Sequence, residues 1–309
     1  MYNTIKIAHL SKTEWLQKRK QGIGGSDAGA ICGLNPYISP INVYQDKIST
    51  RIEDLDNEAM RQGRELEEYV AKRFTEATGL KVRRSNVMYQ NKEYPFMLAD
   101  VDRMVVGEDA GLECKTANAF QTDKWKDGKI PAHYLLQCLH YMAVTGKTSW
   151  YLAVVILGKE FHYVKIDRDE AMIENLVAIE KEFWERHVVP RVMPEPDGSP
   201  ACDEVIQSCF PVAEKKEIFL PSEFDAVLQR REEILQLSEK LEIERKNIEQ
   251  RIKLFMGENE IATNEHYQVS WANVDSARID TRRMKQEQPE LYRQFSKVSH
   301  SRRFVVKAA

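Results

Sequence analysis

The sequence lacks the features that mark membrane, disulfide-rich and zinc-binding proteins. No apolar run approaches the roughly 18–20 residues of a membrane-spanning helix, and the N-terminus has no signal-peptide core. The five cysteines are scattered and form no CxxC pair, which argues against zinc or iron–sulfur ligation by thiolates. The net charge of −3 does not indicate a nucleic-acid partner, although local patches of positive charge matter more for such binding than the net charge. We therefore expect an intracellular, cytoplasmic protein with buried free thiols.

The composition predicts a folded core followed by an extension. With 309 residues and 42% hydrophobic content, the chain can bury a proper core. We predict a core domain over residues 1–190 and a proline-rich linker over 191–221, because "VVPRVMPEPDGSPA" holds four prolines. Residues 222–309 should form a long charged helix and a small, basic α+β end. Five apolar residues of that helix recur every seven positions, but the complementary seam is poor, which favours packing on its own domain or on one neighbour over a free-standing coiled coil. They are Val227, Ile234, Leu241, Ile248 and Phe255.

Turn and cap signals divide the core into alternating helices and strands. Ser11 followed by Glu14 predicts a capping box for the first helix. The other predicted helices are residues 28–31, capped by Ser26-Asp27, and 53–78, 131–144 and 168–187. The predicted strands are residues 80–90, 96–106, 112–117, 149–157 and 161–166.

The stretch "GLECKTANAF", residues 111–120, places Glu113 and Lys115 two residues apart on a predicted strand. Alternate residues of a strand point to the same face, so the carboxylate and the ammonium lie side by side. Taken alone, such a pair is most often a surface salt bridge. A further carboxylate, Asp102, lies eleven residues upstream on the preceding predicted strand.

A hairpin of these two strands can bring Asp102 beside Glu113. Two neighbouring carboxylates repel, which raises the affinity for a divalent cation, and hard oxygen ligands suit Mg²⁺ or Mn²⁺. The backbone carbonyl of Cys114 can supply a further oxygen. Because a metal-bound water loses its proton more easily, Lys115 can orient that water or help to deprotonate it for attack on a phosphodiester.

A glycine-rich turn, "GIGG", ends the first helix before Ser26 and Asp27. Backbone N–H groups at such a turn can receive a phosphate, although most such turns only end a helix. Trp15 has two interpretations, as a core anchor or as a surface that stacks on an unpaired DNA end. His133 and His140 lack a metal-binding spacing and are interpreted as structural. The run "KVRR", residues 81–84, either follows a phosphate backbone or protects a sheet edge by its charge.

One pattern resembles the core motif of PD-(D/E)xK nucleases: Asp102, ten intervening residues and then "ECK". The stretches "GIGGSDAGAICGLNPY" and "GRELEEYVAKRF" resemble the YqaJ-type viral recombinases, relatives of lambda exonuclease. The resemblance covers roughly residues 10–190, and the tail "PELYRQFSKVSHSRRFVVK" resembles an extension of phage members. It implies an α/β (α+β) fold: a restriction-endonuclease-like core with a central mixed sheet flanked by helices, plus the long helix and small extension.

The resemblance also implies roles for individual residues. Asp102 and Glu113 match the metal-binding carboxylates, and Lys115 matches the catalytic lysine. Glu67, in "GRELEE", matches an acidic helix residue that completes the metal site, while Glu65 and Glu68 are interpreted as a solvated face.

Four further positions match parts of the family's site. Tyr134 and Gln137 match a helix that supports the catalytic centre, and Arg19 and Ser26 match residues that bind a terminal phosphate of DNA. One departure is that the usual Pro-Asp-Gly around the first carboxylate is here Val101-Asp102-Arg103. That leaves Asp100 as an alternative ligand, although strand alternation favours Asp102.

The function implied is a Mg²⁺-dependent exodeoxyribonuclease, with Mn²⁺ as the alternative cation. It would digest one strand of linear double-stranded DNA from the 5′ end and leave a 3′ single strand for phage-type recombination. The implied partners are DNA ends, a phage-type single-strand annealing protein and further copies of the chain in a homo-oligomer, often a trimer, in a bacterial host. The alternatives are a structure-specific or CRISPR-type endonuclease on the same core and a non-catalytic DNA-binding module.

Overall fold

The computed structural model describes residues 2–51, 57–298 and 301–307. The chain divides into a first unit that ends at Phe210 and a second that begins at Pro211. The helices of the first unit are α1 (Lys12–Arg19), α2 (Gly25–Ile31), α3 (Pro40–Ile48), α4 (Glu58–Thr78), α5 (Ala132–Thr145), α6 (Glu170–Phe183) and α7 (Pro200–Cys209). Its strands are β1 (Tyr2–Lys6), β2 (Ile23–Gly24), β3 (Val82–Arg84), β4 (Val87–Asn91), β5 (Met97–Ala99), β6 (Arg103–Val105), β7 (Ala110–Ala117), β8 (Ser149–Ile156) and β9 (Glu160–Asp167).

The central sheet is mixed and has five strands in the order β3-β6-β7-β8-β9. Only β7 and β8 run parallel, joined by a connection that contains α5, and the remaining neighbours are antiparallel. A second sheet has the order β1-β4-β5-β2. With helices packed against these sheets, the structure confirms the predicted α+β class and its central mixed sheet.

Two of the predicted strands are wrong in the same way, because each is two strands that belong to different sheets. Residues 80–90 divide at Ser85 and Asn86 into β3 and β4, and residues 96–106 divide at 100–102 into β5 and β6. Both breaks line one cleft. The chain leaves the ladder where polar residues, among them Asp100 and Asp102, face this cleft instead of a neighbouring strand.

The core fixes α4 and α5 on the central sheet. Val70 and Phe74 of α4 pack with Leu112 of β7 and Ala153 of β8 in one buried cluster. Leu139 and the other buried residues of α5 belong to a second cluster. Helix α4 packs on β7 and α5 packs on the neighbouring β8, and Gln137 of α5 bonds to Glu113 of β7, so side chains from both helices reach this strand.

Helix α2 approaches α5 at two glycines. A Cβ atom on Gly25 would lie 2.5 Å from Tyr141, and one on Gly29 would lie 2.6 Å from His133. Real Cβ atoms do not come so close, so these positions need glycine. The close approach places the first turn of α2, including Ser26, next to the α5 residues that line the cleft.

Most helix predictions are confirmed within a few residues. The capping box of Ser11 and Glu14 is present at α1, and α5 ends at Gly146 as expected. The predicted cap of α2 is wrong, because Gly24 is the N-cap and Ser26 lies in the first turn. The helix predicted over 53–78 is α4, and residues 53–56 lie outside the described residues. The helix predicted to residue 187 is α6, which continues as a π-helical turn over Trp184–Val188.

The predicted linker over 191–221 is wrong for its middle part. Residues Pro200–Cys209 form α7, which begins at the N-cap Ser199. Cys202 and Val205 of α7 pack against Ile41 of α3. The proline that suggested a linker is the first residue of a helix, where its missing N–H costs nothing.

The second unit contains the predicted long helix, α8 (Glu223–Met256), followed by a hairpin of β10 (Ile261–Thr263) and β11 (Gln268–Ser270). Two short helices follow, α9 (Thr281–Glu287) and α10 (Pro289–Phe295). The five heptad residues of α8 are all exposed, so the packing neighbour expected for them stays a prediction.

Two expectations about the whole chain can be compared with the structure. All five cysteines are free thiols, as predicted, but only Cys138 and Cys202 are buried, whereas Cys32, Cys114 and Cys209 are half-buried. None of the helices in the described ranges combines the length and apolarity that a membrane span requires.

Candidate active site

A cleft of about 460 Å³ lies where the two sheets of the first unit separate. Its lining comes from α1, α2, α4 and α5 and from the breaks between the strands. Residues far apart in the sequence therefore meet there. Nine of the predicted site residues line it directly or bond to a residue that does: Arg19, Ser26, Trp15, Glu67, Asp102, Glu113, Gln137, Cys114 and Lys115.

The β6–β7 hairpin brings Asp102 beside Glu113, as the spacing predicted. Arg103 of β6 pairs with Leu112 of β7, so the preceding residue of one strand faces the following residue of the other. Asp102 Oδ2 accepts a hydrogen bond from the Cys114 backbone N–H at 2.8 Å. This bond fixes Asp102 against the strand that carries Glu113.

Glu113 is buried, with 3% of its surface exposed, and its two oxygens differ. Oε1 accepts from Lys115 Nζ at 2.5 Å and from Gln137 Nε2 at 2.7 Å. Gln137 also donates to the Tyr141 hydroxyl at 2.8 Å. Oε2 is buried and has no hydrogen-bond partner among the described residues. A buried carboxylate oxygen without a donor is costly, unless it serves as a ligand.

The electrostatics of the acid pair favour a bound cation. Burial raises the pKa of Asp102 well above its usual range, and the neighbouring Glu113 carboxylate raises it further. Burial by itself would lower the pKa of Lys115, but the Glu113 carboxylate, Tyr134 and Asp102 together outweigh it, and the net direction is upward. Two carboxylates that share only one ammonium have excess negative charge, which a divalent cation would neutralise. The donor set therefore fits such an ion.

Tyr134 lies against the predicted catalytic lysine. Lys115 Nζ is 4.7 Å from the centroid of the Tyr134 ring, and Tyr134 stacks on Trp125 with centroids 5.6 Å apart. Burial and the nearby positive charges of Lys115 and Lys124 lower the pKa of His133 to about 4. His133 is therefore neutral at physiological pH and packs edge-on to aromatic rings, in keeping with a structural role.

The residues predicted to bind a DNA end are assembled along a second wall of the same cleft. Arg19 Nη2 donates to Ser26 Oγ at 3.0 Å, and the Arg19 guanidinium lies 4.9 Å above the Trp15 ring. Trp15 Nε1 donates to Asp100 Oδ2 at 2.7 Å. Trp15 lines the cleft and is only partly buried, which does not fit a core anchor. Because Asp100 is engaged by Trp15 while Asp102 faces Glu113, the geometry favours Asp102 as the ligand.

A lysine that the sequence analysis missed fixes this wall. Lys47 of α3 has a side chain only 2% exposed and pairs with Asp27 at 2.7 Å. Asp27 in turn accepts from the Gly24 N–H at 2.9 Å, which closes the start of α2. No sequence pattern links residues 27 and 47, since the contact depends on how α3 packs against α2.

Glu67 has a partner that the sequence analysis recorded only as a departure from the family motif. Arg103 Nη1 donates to Glu67 Oε1, and Nη2 donates to Glu68 Oε2 at 2.9 Å. Within the described ranges, no three acidic, histidine or cysteine side chains converge as a ready-made cation site. The structure thus brings Asp102 and Glu113 together and places Glu67 in the same cleft, held by an arginine.

The acidic neighbours of Glu67 and the "KVRR" run lie at the surface near the cleft. Glu65 is exposed and pairs with Arg61 along the helix, as expected for a solvated face. Glu68 is exposed but bonds to Arg84 of β3, so its interpretation as merely solvated is incomplete. β3 is an edge strand of the central sheet, and Arg84 also lines the cleft. The "KVRR" run therefore forms a charged edge with one residue directed to the site.

His140 is structural, as predicted, and fully buried. Its Nδ1 lies 2.8 Å from Glu180 Oε1, and its Nε2 lies 2.9 Å from the Leu98 carbonyl. Burial alone would lower the pKa of His140, but the Glu180 carboxylate and the hydrogen bonds outweigh it and raise the pKa. The pair joins α5 and α6 to the strand that leads into Asp100.

Comparisons with known proteins identify the family of this chain. A family model described as the YqaJ-like viral recombinase domain matches residues 14–148. The uncharacterized protein YqaJ of Bacillus subtilis (strain 168) is 38% identical over 306 residues, which are 98% of this chain and 96% of that protein.

Among solved structures, the alkaline exonuclease LHK-Exo from Laribacter hongkongensis has a TM-score of 0.50 and 19% identity, over 65% of this chain and 99% of that chain. LHK-Exo in complex with dAMP also has a TM-score of 0.50 and 19% identity, over 64% of this chain and 96% of that chain. At this identity the likeness shows a common fold. The near full-length match to the Bacillus subtilis protein confirms the resemblance noted in the sequence: the chain belongs to the YqaJ-like viral recombinase family.

Proposed function

We propose that this protein is a divalent-cation-dependent exodeoxyribonuclease that acts on the ends of linear duplex DNA. The observation that carries the proposal is the unequal hydrogen bonding of the two Glu113 carboxylate oxygens. One of its oxygens is held by Lys115 and Gln137, while the other is buried without a partner beside Asp102. A carboxylate with one oxygen fixed and one left over suits a ligand better than a structural ion pair.

The residues that would hold the cation are Asp102, Glu113 and the backbone carbonyl of Cys114, with Glu67 as a third carboxylate. All are hard oxygen donors, which suit Mg²⁺, with Mn²⁺ as the alternative. When bound, the cation supplies positive charge that polarises a phosphodiester and lowers the pKa of a nearby water. Gln137 keeps Glu113 in the correct orientation for this task through its 2.7 Å hydrogen bond.

Lys115 is a hydrogen-bond donor at the site rather than a base. Its ammonium is held by Glu113, and its ring contact with Tyr134 further favours the positive form. It can therefore orient an attacking water or stabilise negative charge that develops on the phosphate. Of the two roles that the sequence left open for Lys115, the contacts favour orientation and charge stabilisation over removal of a proton.

The wall formed by Arg19, Ser26 and Trp15 would hold the DNA end. Arg19 offers guanidinium donors and Ser26 a hydroxyl, and a terminal phosphate can accept hydrogen bonds from both. The Trp15 ring beside them offers a flat face for an unpaired base. These residues and the acid pair line one cleft, so a bound end would present its first phosphodiester to Glu113 and Asp102.

The polarity of digestion, the protein partner, the oligomeric state and the location are proposed from the resemblance to the family. We propose digestion of the 5′-ended strand, which leaves a 3′ overhang for recombination, and a phage-type annealing protein as the partner that receives it. A ring-shaped homo-oligomer, often a trimer, and a location in the cytoplasm of a bacterial host stay predictions. The term alkaline exonuclease in the LHK-Exo structures supports an exonuclease over an endonuclease.

The test uses the full-length protein with Mg²⁺ and three substrates: 5′-labelled linear duplex, 3′-labelled linear duplex and closed circular DNA. We expect the 5′ label to be released first, the 3′-labelled strand to persist as a single strand, and the circle to remain intact. Asp102→Asn should remove all digestion.

Other outcomes have distinct meanings. Cutting of closed circles would favour an endonuclease on the same core. Binding of linear DNA without digestion, under any divalent cation, would favour a binding module. Early loss of the 3′ label would overturn the proposed polarity while leaving the nuclease assignment in place.

A further inference from the structure

Arg103 is a buried cation at the edge of the cleft that has no part in the proposed reaction. It begins β6 directly after Asp102, and only 3% of its side chain is exposed. Its pairing partners are Arg84 on β3 and Leu112 on β7. Leu112 belongs to the core beneath α4, so Arg103 points to the same face. A guanidinium buried to this extent needs acidic partners, because an unpaired buried charge is strongly unfavourable.

The partners of Arg103 come from the cleft and from α4. Nη1 donates both to Glu67 Oε1 and to the backbone carbonyl of Asp102, the latter at 2.7 Å. One nitrogen thus joins the acidic residue of α4 to the backbone of the proposed ligand Asp102. Glu67 is held at the cleft with one oxygen engaged and its charge neutralised.

The other side of the guanidinium has a second anchor. Nη2 donates to Glu68 Oε2 at 2.9 Å, and Arg84 donates to the same oxygen at 3.0 Å. If Glu67 turned away, Arg103 would still be paired with Glu68. Glu67 can therefore move from Arg103 to another cation while Arg103 stays paired with Glu68.

We propose that Arg103 is a positioning residue that competes with a divalent cation for Glu67 and so sets the cation concentration that the site requires. The inference rests on the proposed function, because it presupposes a cation at Asp102 and Glu113. A guanidinium and a divalent ion attract the same carboxylate and repel each other. Removal of the charge at Arg103 should therefore free Glu67 and tighten cation binding.

The experiment measures Mn²⁺ binding to the full-length protein by the electron paramagnetic resonance signal of free Mn²⁺, without DNA or turnover. The variants are Arg103→Gln, Glu67→Gln and the double variant, which together form a double-mutant cycle. We expect Arg103→Gln to lower the dissociation constant by at least about tenfold and Glu67→Gln to raise it. In the double variant, the gain from Arg103→Gln should vanish, because the carboxylate that it frees is gone.

Arg84→Gln is the matched control. It removes the same charge from the neighbouring strand and the same contact with Glu68, but in the described part of the chain the hydrogen bond to Glu67 comes from Arg103 and not from Arg84. Its Mn²⁺ dissociation constant should stay within about threefold of the wild-type value, since exposed charges are well screened. An equal gain in Arg84→Gln and Arg103→Gln would mean a general charge effect and would overturn the inference.

Further outcomes separate this inference from the proposed function. An unchanged or weaker affinity in Arg103→Gln overturns the inference, as does a gain that persists in the double variant. If wild-type protein binds Mn²⁺ and Asp102→Asn does not, the proposed function survives such a failure. If the wild-type protein itself binds no Mn²⁺, the proposed function and this inference both fail.

Loss of a buried guanidinium can prevent folding, so each variant is checked by thermal unfolding. Should Arg103→Gln not fold, Arg103→Lys keeps the charge but cannot bridge two carboxylates in the same way. We expect Arg103→Lys to lower the Mn²⁺ dissociation constant by at least about threefold, a smaller change in the same direction. An unchanged constant in a folded Arg103→Lys protein would overturn the inference.

Discussion

Lys115→Ala removes the ammonium that donates to Glu113 at 2.5 Å, while Gln137 keeps its own bond to the same oxygen. Removal of one donor that stabilises charge in a transition state slows a reaction by about 10²–10³-fold, or about 2.7–4 kcal/mol. Because neither Arg19 nor the carboxylates change, DNA binding in the presence of Ca²⁺ should stay within about threefold of wild type, the range of a weak exposed contact.

The assay is the single-turnover release of label from a 5′-labelled duplex, measured beside the dissociation constant for the same duplex. The lost hydrogen bond to a charged group should cost about 1–3 kcal/mol of stability, so the variant is assayed well below its melting temperature. Lys124→Ala, which removes an exposed lysine just after the same strand, controls for the loss of one positive charge. A Lys115→Ala protein that cleaves within threefold of wild type, or that loses binding and cleavage in parallel, would refute the assigned role.

Three further predictions test the walls of the site and its support. Arg19→Ala should slow digestion of 5′-phosphorylated ends about 10-fold or more, the value of a charge-assisted contact, and slow 5′-hydroxyl ends much less; equal slowing of both would argue against a terminal-phosphate contact. Asp102→Asn should abolish Mn²⁺ binding, whereas Asp100→Asn should leave the Mn²⁺ dissociation constant near the wild-type value and weaken binding of DNA ends; titration of both variants decides which is the ligand. Glu180→Gln should destabilise the protein by about 3–5 kcal/mol, because it removes the buried negative charge that pairs with His140. Because the folded pKa of His140 is raised, the contribution of the pair is fully present below the unfolded pKa of about 6.5 and is lost as pH rises through the folded pKa. The difference in unfolding free energy between wild type and variant should therefore shrink from pH 6 to pH 9, and a pH-independent difference would contradict this explanation.

The pattern of the sequence was enough to locate the hairpin that carries Asp102 and Glu113. The alternation of a strand put Glu113 and Lys115 on one face, and the eleven-residue spacing to Asp102 matched a hairpin, whose register is a local property. Capping residues and glycine stops likewise placed α1 and α5 correctly, since these signals act over only a few residues.

The local sequence pattern gave wrong strand predictions where a segment passes from one sheet to the other. Residues 80–90 and 96–106 have the composition of single strands, but each crosses from one sheet to the other at the cleft. Propensity is the same for both sheets, so nothing in either segment shows where the exchange occurs. The predicted linker failed because Pro200, one of its four prolines, follows the N-cap Ser199 and begins a helix, and the sequence does not show that this helix packs on α3.

What the sequence determined by itself was the chemistry available: two acids, an amine and a run of family motifs whose positions follow from short-range spacing. Only the tertiary structure decided which distant side chains pair with the residues of the site. Trp15 is held by Asp100, Asp27 by Lys47, and Glu67 by Arg103, over separations of 85, 20 and 36 residues. Such pairs form because packed helices and sheets bring distant charges to one low-dielectric place, where burial makes each charge depend on its partner.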